Sequence, residues 1–416
     1  METFERLESA VRSYSRAWPT VFTTARGHLL TDESGRDYID FFSGAGTLNY
    51  GHNPLAIKRA LIDYLESDGV THSLDMATAA KRSFLQRFEE VVLRPRELDY
   101  RIQFPGPTGT NAVEAALKIA RKATGRGTII SFTHGFHGMT LGSLAVSANE
   151  WKRAGAGVDL PGGISMPYDG FLGEAVDTAA ELERYLASSS GGSDLPAAVI
   201  VESVQGEGGL QAASYEWLGR LRELCDRYEM LLILDDIQVG CGRTGPFFSF
   251  EPAGIVPDVV CLSKSLSGYG LPLALTLIRP QFDVWAPGEH SGTFRGNNPA
   301  FVTATRALDY WTNDDLSRSV QKHAETISHE LRRLAERHPD ARASLRGRGM
   351  IQGLYCATPG LAKATAAAAF ERGLVLETSG PEGEVIKLLP PLTIDDAALR
   401  EGLALLDESL AHALEG

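Results

Sequence analysis

The chain has 416 residues, 43% of them apolar and 22% charged, which suits a globular α/β enzyme with a large core and more than one domain. A formal net charge of −13 argues against nucleic acid or an anionic membrane as the main partner. The four cysteines (Cys225, Cys241, Cys261 and Cys356) form no CxxC pair, which argues against a disulfide framework and a zinc site, and no metal is expected. Met1-Glu2-Thr3-Phe4-Glu5 lacks the apolar core of a signal peptide, and no apolar run approaches membrane-spanning length. A cytoplasmic protein without membrane or nucleic-acid partners is expected.

Gly27 to Tyr38 has the pattern of a hairpin, with Gly35 near its turn. Gly, Asn and Pro clusters between Ile39 and Pro54 mark loops, and a helix is predicted from Pro54 to Glu66. Gly106-Pro107-Thr108-Gly109-Thr110-Asn111 leads into the Ala- and Leu-rich stretch Ala112–Arg121, a strong helix former. A Gly/Thr loop opening a helix offers free N–H groups and hydroxyls to a phosphate, although a plain capped helix has the same pattern. No lysine follows in P-loop fashion.

Thr128–Phe132 is predicted as a strand running into His134-Gly135-Phe136-His137-Gly138. Phe136 could stack on a planar ring or be an ordinary buried aromatic. After a surface loop at Ser188–Pro196, the strand Ala197–Val201 ends in Glu202-Ser203-Val204-Gln205-Gly206-Glu207-Gly208-Gly209. The carboxylates of Glu202 and Glu207 either act on a substrate or are merely solvated. A helix is predicted from Trp217 to Tyr228.

The stretch from Leu231 to Lys264 organises the chain. The apolar run Leu231–Leu234 ends in Asp235-Asp236-Ile237-Gln238, and Val259–Leu262 ends in Ser263-Lys264. Two buried-type strands each deliver one ionisable residue at the edge where open α/β sheets bind ligands. A carboxylate and an amine there suit a cofactor with a ring nitrogen to protonate and a carbonyl to condense with an amine, as in pyridoxal 5′-phosphate. Leu273–Ile278 is a further strand, Gly288–Pro299 a polar loop, and Ala300 to about His338 a long helical pattern. The expected division is an N-terminal segment (1–55), a large domain (56–300) and a smaller C-terminal domain (301–416) entered by that long helix.

Leu234-Asp235-Asp236-Ile237-Gln238-Val239-Gly240-Cys241-Gly242-Arg243-Thr244-Gly245, followed by Leu262-Ser263-Lys264-Ser265, resembles the class III, fold-type I aminotransferases. The family usually has Asp-Glu where this chain has Asp235-Asp236. The resemblance covers almost the whole chain. It implies a large domain with a mostly parallel seven-stranded sheet flanked by helices, and a smaller α+β domain from the N- and C-terminal segments. It implies that Lys264 is the Schiff-base lysine, that Asp235 faces the pyridine nitrogen and that Gln238 lies near the ring hydroxyl. Gly109 and Thr110 would hold the phosphate, Phe136 would stack on the ring, and His137 would be a further cofactor contact. Thr293 would reach the cofactor of the neighbouring subunit, so the resemblance implies a homodimer or tetramer with shared active sites.

Within the family, Gly69–Met76, Gly106–Glu114, Ser131–Leu141 and Asp283–Asn298 are most similar to the diaminobutyrate–2-oxoglutarate aminotransferases of ectoine biosynthesis. That resemblance implies small amino-acid and keto or aldehyde substrates, with L-glutamate donating to L-aspartate 4-semialdehyde. Another class III ω-aminotransferase, acting on an ornithine-, 4-aminobutyrate- or diamine-type substrate, is the alternative, and an aminomutase or decarboxylase a further one. Many relatives place an arginine where this chain has Lys387, in Ile386-Lys387-Leu388-Leu389-Pro390-Pro391. Lysine offers a point charge in place of the arginine fork. Lys387 is expected to pair with the α-carboxylate of glutamate, with Glu207 neutralising it when the other substrate binds. The competing expectation is that Lys387 is a surface strand residue.

Overall fold

The computed structural model describes residues 1–188 and 194–415, so the loop expected at Ser188–Pro196 lies partly outside the described residues. The main sheet has seven strands, in the spatial order Arg101–Gln103, Leu275–Ile278, Val259–Leu262, Leu231–Asp235, Ala198–Val201, Ile129–Phe132 and Gly163–Met166. Leu275–Ile278 alone runs opposite in direction to the other six strands. In the four strands from Val259–Leu262 to Ile129–Phe132 every residue is buried. Such strands can be apolar throughout because helices cover both faces of a parallel sheet. On one face Ile200, Ile233 and Cys261 cluster with Ala112, Ala116 and Ile119 of the helix Gly109–Thr124. On the other, Val199, Leu232, Leu234 and Val260 meet Leu218 and Leu221 of the helix Tyr215–Arg227.

The expected strands and helices up to Ile278 fall within three residues of those observed. The long pattern after Ala300 does not form one helix. It divides into Asn298–Ala307, a short 3₁₀ turn at Leu308–Trp311 and Asp315–Arg337. Asn313 lies in the gap, where its side-chain oxygen accepts from Asp315 N at 3.0 Å. Asn and Asp side chains compete with the helical backbone in this way and favour helix starts over interiors.

Chain ends combine beyond the main sheet. The strands Phe22–Arg26, Leu29–Asp32 and Asp37–Asp40 are joined by Leu374–Val375, which pairs in parallel with Asp37–Asp40. A separate antiparallel sheet has the order Ala343–Arg348, Ile351–Cys356, Val385–Leu388 and Glu377–Ser379. In it, Lys387 lies opposite Gly353 on one side and opposite Glu377 on the other.

Arg243 ties these segments together. It is fully buried and donates to Met350 O (3.1 Å), Pro390 O (2.6 Å) and Asn49 Oδ1 (2.6 Å). Burial pushes its guanidinium down to about 9, still protonated at neutral pH. Replacing Arg243 with Met leaves three buried acceptors without their donor, so the variant should lose roughly 3–5 kcal/mol of stability. A urea titration checks this, and a wild-type midpoint would show that the contacts are dispensable.

Candidate active site

The parallel register pairs Asp235 with Cys261, so the chain reaches Lys264 three residues beyond that pair. Phe132, Val201, Asp235 and Leu262 end four adjacent strands, and the loops that follow them meet at one sheet edge. There they enclose a cavity of about 170 Å³ lined by Gly109, Thr110, Phe136, His137, Glu202, Glu207, Asp235, Ile237, Gln238 and Lys264, among others. The structure thus brings together ten residues from five separate stretches of chain. A larger surface cleft, about 970 Å³, lies elsewhere beside Arg96 and Arg348 and contains none of these groups.

Asp235 is buried, with Oδ2 2.7 Å from His137 Nδ1 and Oδ1 accepting from Ile237 N at 3.2 Å. Burial alone would lower the His137 imidazole, but the hydrogen bond and charge of Asp235 raise it above the usual histidine value. His137 therefore touches the aspartate directly and orients it. Glu202 is also buried. Its two oxygens accept from Phe136 N (2.9 Å) and Gly206 N (3.2 Å), so it joins the two loops that frame the cavity. Burial pushes its carboxyl up to about 7, with His137 opposing and Asp235 adding to the rise. The Lys152 ammonium lies 4.2 Å from the centre of the Phe136 ring.

Lys264 opens a short 3₁₀ turn with φ of 49°, a left-handed conformation unusual for a residue with a side chain. Such strain persists only where surrounding structure over-determines it. Its Nζ donates to Ala45 O at 3.0 Å. Gln238 Nε2 donates to the same oxygen at 3.0 Å, and Ser265 Oγ to Gly46 O at 2.6 Å. These carbonyls belong to a left-handed turn, Ser43–Gly46, with φ of 48°, 58°, 56° and 80°. Lys264 keeps some access along the cavity, yet burial lowers its amine below the ordinary lysine value, with Glu207 opposing and Lys387 adding to the fall.

Gly109 and Thr110 form the first turn of the helix Gly109–Thr124, whose leading N–H groups have no intrahelical acceptor. Thr110 Oγ1 lies 2.8 Å from both Thr140 Oγ1 and Ser143 Oγ, making a knot of hydroxyls at the helix start. A Cβ on Gly138 would approach Thr110 Oγ1 to 2.4 Å, so only glycine fits beside it.

At the other end, Lys387 is fully buried, which overturns the surface-strand expectation. Its Nζ lies 2.8 Å from Glu207 Oε1, and that oxygen also accepts from Gln238 Nε2 at 3.1 Å. A second carboxylate, Glu377 Oε1, stands 3.0 Å from the same amine as an ion-pair contact outside hydrogen-bond alignment. Tyr14 OH donates to Glu377 Oε2 at 3.3 Å. Attraction to both carboxylates outweighs burial and holds the Lys387 ammonium well above the usual lysine value. Thr293 is exposed and lies outside this chain's own cavity, its carbonyl 3.0 Å from His72 Nε2. Sequence reading missed Ala45, Glu377 and Tyr14. The Ser43-Gly44-Ala45-Gly46 run carried a signal in its glycines, whereas Glu377 and Tyr14 carried none.

The cavity fits a phosphorylated pyridine aldehyde. Two buried polar atoms of its lining, His137 Nε2 and Gln238 Oε1, have no hydrogen-bond partner among the described residues. A Cβ on Gly206 would fall 1.7 Å from Gln238 Oε1, so the glycine keeps that amide in place. A carboxylate at one strand end, an amine at the next and a helix start with hydroxyls match the cofactor's ring nitrogen, carbonyl and phosphate. Fold and site together define a fold-type I pyridoxal phosphate enzyme.

Comparison with known proteins narrows the class. Residues 11–410 match the family Aminotransferase class-III, and the chain belongs to that family. It is 57% identical over 415 residues to a diaminobutyrate–2-oxoglutarate transaminase of Halalkalibacterium halodurans, covering 100% of this chain and 97% of the relative. It is 59% identical to one of Sporosarcina pasteurii, covering 98% and 96%. The ornithine aminotransferase structure from Toxoplasma gondii superposes with a TM-score of 0.87 at 26% identity, covering 100% and 94%. A PLP-bound amine transaminase from an uncultivated Pseudomonas species gives 0.86 at 26% identity, covering 98% of each chain. The chain is an aminotransferase, and its cofactor is pyridoxal phosphate.

Replacing Asp235 with Asn keeps the side-chain shape but removes the charge that His137 contacts and that a cofactor ring nitrogen would meet. Turnover should fall by about 10²-fold or more, the scale of losing one strong electrostatic contact at a reacting group. Single-turnover kinetics followed by cofactor absorbance measure this, and wild-type rates would take Asp235 out of the chemistry.

Proposed function

We propose that the protein transfers the amino group of L-glutamate to the terminal aldehyde of L-aspartate 4-semialdehyde, yielding 2-oxoglutarate and L-2,4-diaminobutyrate. The observation that carries this reading is identity of 57% and 59%, along essentially the whole chain, to transaminases named for diaminobutyrate and 2-oxoglutarate. We also infer, from the sequence segments that resemble the enzymes of ectoine biosynthesis, a place in that pathway and a cytoplasmic location.

Bound in the cavity, pyridoxal phosphate supplies a carbonyl that takes up an amino group and a protonated ring that draws electrons from the neighbouring carbon. Asp235 would hold the ring nitrogen in its charged form, oriented by His137 at 2.7 Å. The hydroxyl knot and first turn at Gly109 and Thr110 would bind the phosphate, Phe136 would cover the ring, and Gln238 would contact its hydroxyl. Lys264 Nζ, favoured in its neutral form by burial, would be the base that takes the proton from the substrate carbon bearing nitrogen and delivers it to C4′ of the cofactor. Glu202 fixes the loops carrying Phe136 and Gly206 and lines the cavity between them. Glu207 and Lys387 form the substrate end: Glu207 covers the lysine for one substrate and turns aside so that Lys387 can meet the carboxylate of glutamate for the other.

We also infer a homodimer in which Thr293 completes the partner's site. Exposed Leu74, Met76, Met139, Leu141 and Phe294, which lie close in sequence to site residues and to Thr293, support this. Residues 1–55 and 301–416 would form one smaller unit beside the large domain at 56–300, a division supported by the pairing of Asp37–Asp40 with Leu374–Val375.

Purified protein given L-glutamate and aspartate 4-semialdehyde should release 2-oxoglutarate and diaminobutyrate in equal amounts with ping-pong kinetics. Product analysis by mass spectrometry reads this out. Rapid turnover of ornithine or 4-aminobutyrate with none of diaminobutyrate would overturn the substrate assignment and leave the aminotransferase class intact.

A further inference from the structure

Lys387 has two counter-ions, not one. Glu207 Oε1 lies 2.8 Å from its amine and Glu377 Oε1 3.0 Å. The two carboxylates differ in freedom. Glu207 sits on a loop that lines the cavity, and its side chain retains 22% exposure. Glu377 is a cross-strand neighbour of Lys387 in the antiparallel sheet, and its side chain is 7% exposed. Its second oxygen accepts from Tyr14. The Ser379 side chain ties the Glu207 loop to the Glu377 strand: its Oγ donates to Gly206 O at 2.7 Å and accepts from Gly209 N at 3.0 Å. The Glu207 side chain can therefore turn without moving Glu377, which stays against the lysine in either position.

This arrangement sets the charge of the substrate end. One ammonium and two carboxylates sum to a net −1 when all three are ionised. An ion pair of Lys387 with Glu377 alone is neutral, which leaves the charge of Glu207 uncompensated beside Lys264. Diaminobutyrate carries one more ammonium than carboxylate, and glutamate one more carboxylate than ammonium. In a poorly solvated site, one fixed charge acts in opposite directions on such a pair.

We propose that Glu377 is a specificity-determining residue: as the permanent counter-ion of Lys387 it keeps the substrate end net negative and so favours the diamino acid over glutamate. This rests on the substrate reading given above. Glu377 acts through Lys387 and is a positioning residue, not a catalytic one.

The test compares two half-reactions of the holoenzyme, with diaminobutyrate and with glutamate as donor, by stopped-flow absorbance. In Glu377→Gln the diaminobutyrate-to-glutamate ratio of kcat/KM should fall by about tenfold, with KM rising for diaminobutyrate and falling for glutamate. Glu377→Asp, which keeps the charge, should hold the wild-type ratio. Equal losses for both donors in Glu377→Gln would make the residue merely structural and overturn the proposal, as would an unchanged ratio. Glu377→Met is assayed beside it, and failure of both neutral variants to fold would assign Glu377 to folding and equally overturn it. If the wild type does not use diaminobutyrate at all, the substrate reading fails instead. Glu377 is then judged with the diamino acid that the wild type does accept, against glutamate.

Discussion

The parallel ladder between Leu231–Asp235 and Val259–Leu262 is the constraint on which the rest depends. Its register pairs Asp235 with Cys261 and delivers a carboxylate and an amine to one edge of a sheet whose central strands are wholly buried. A slip of one residue would exchange the two faces of a strand and put Leu234 where Asp235 stands. The flanking helices hold the register, because alternate residues of these strands pack into two separate apolar clusters. The geometry of the site is therefore a consequence of core packing, and the reacting groups themselves contribute little to it.

Placing charge at a dry sheet edge is costly unless each charge is paired. The protein meets this requirement at both ends of the cavity. Asp235 is held by His137, and Lys387 by Glu207 and Glu377. Lys264 is different: its closest polar contact is a backbone carbonyl, Ala45 O, in a strained left-handed turn. A carbonyl accepts a hydrogen bond from an amine whether or not the amine is charged. This leaves the lysine able to lose its proton, as the nucleophile and general base proposed for it would have to.

Much of this was legible in the chain. Strands showed as apolar runs with ionisable residues at their ends, and the helix at Gly109–Thr124 showed through its Gly/Thr start and Ala-rich body. Lys387 was harder, because a lone lysine in a strand ordinarily faces water. Its burial depends on Glu377 ten residues earlier, and only the antiparallel register sets them side by side. Tyr14 is farther still, 363 positions from the carboxylate it meets. No local pattern encodes such contacts. Ser43–Gly46 was marked as a loop by its glycines, but that Ala45 would accept from Lys264 follows from tertiary placement alone. The long helix after Ala300 was overextended because its apolar period continues through Leu308–Trp311, where a local Asn313 contact starts a new helix instead.

The central claim is that Lys264, at the end of its strand, is the residue that joins the cofactor covalently. Borohydride reduction of the holoenzyme, followed by proteolysis and tandem mass spectrometry, tests it directly. The phosphopyridoxyl group should be found on Lys264 and on no other lysine. A modified Lys387 or Lys152 with Lys264 untouched would contradict the placement of the chemistry at this sheet edge.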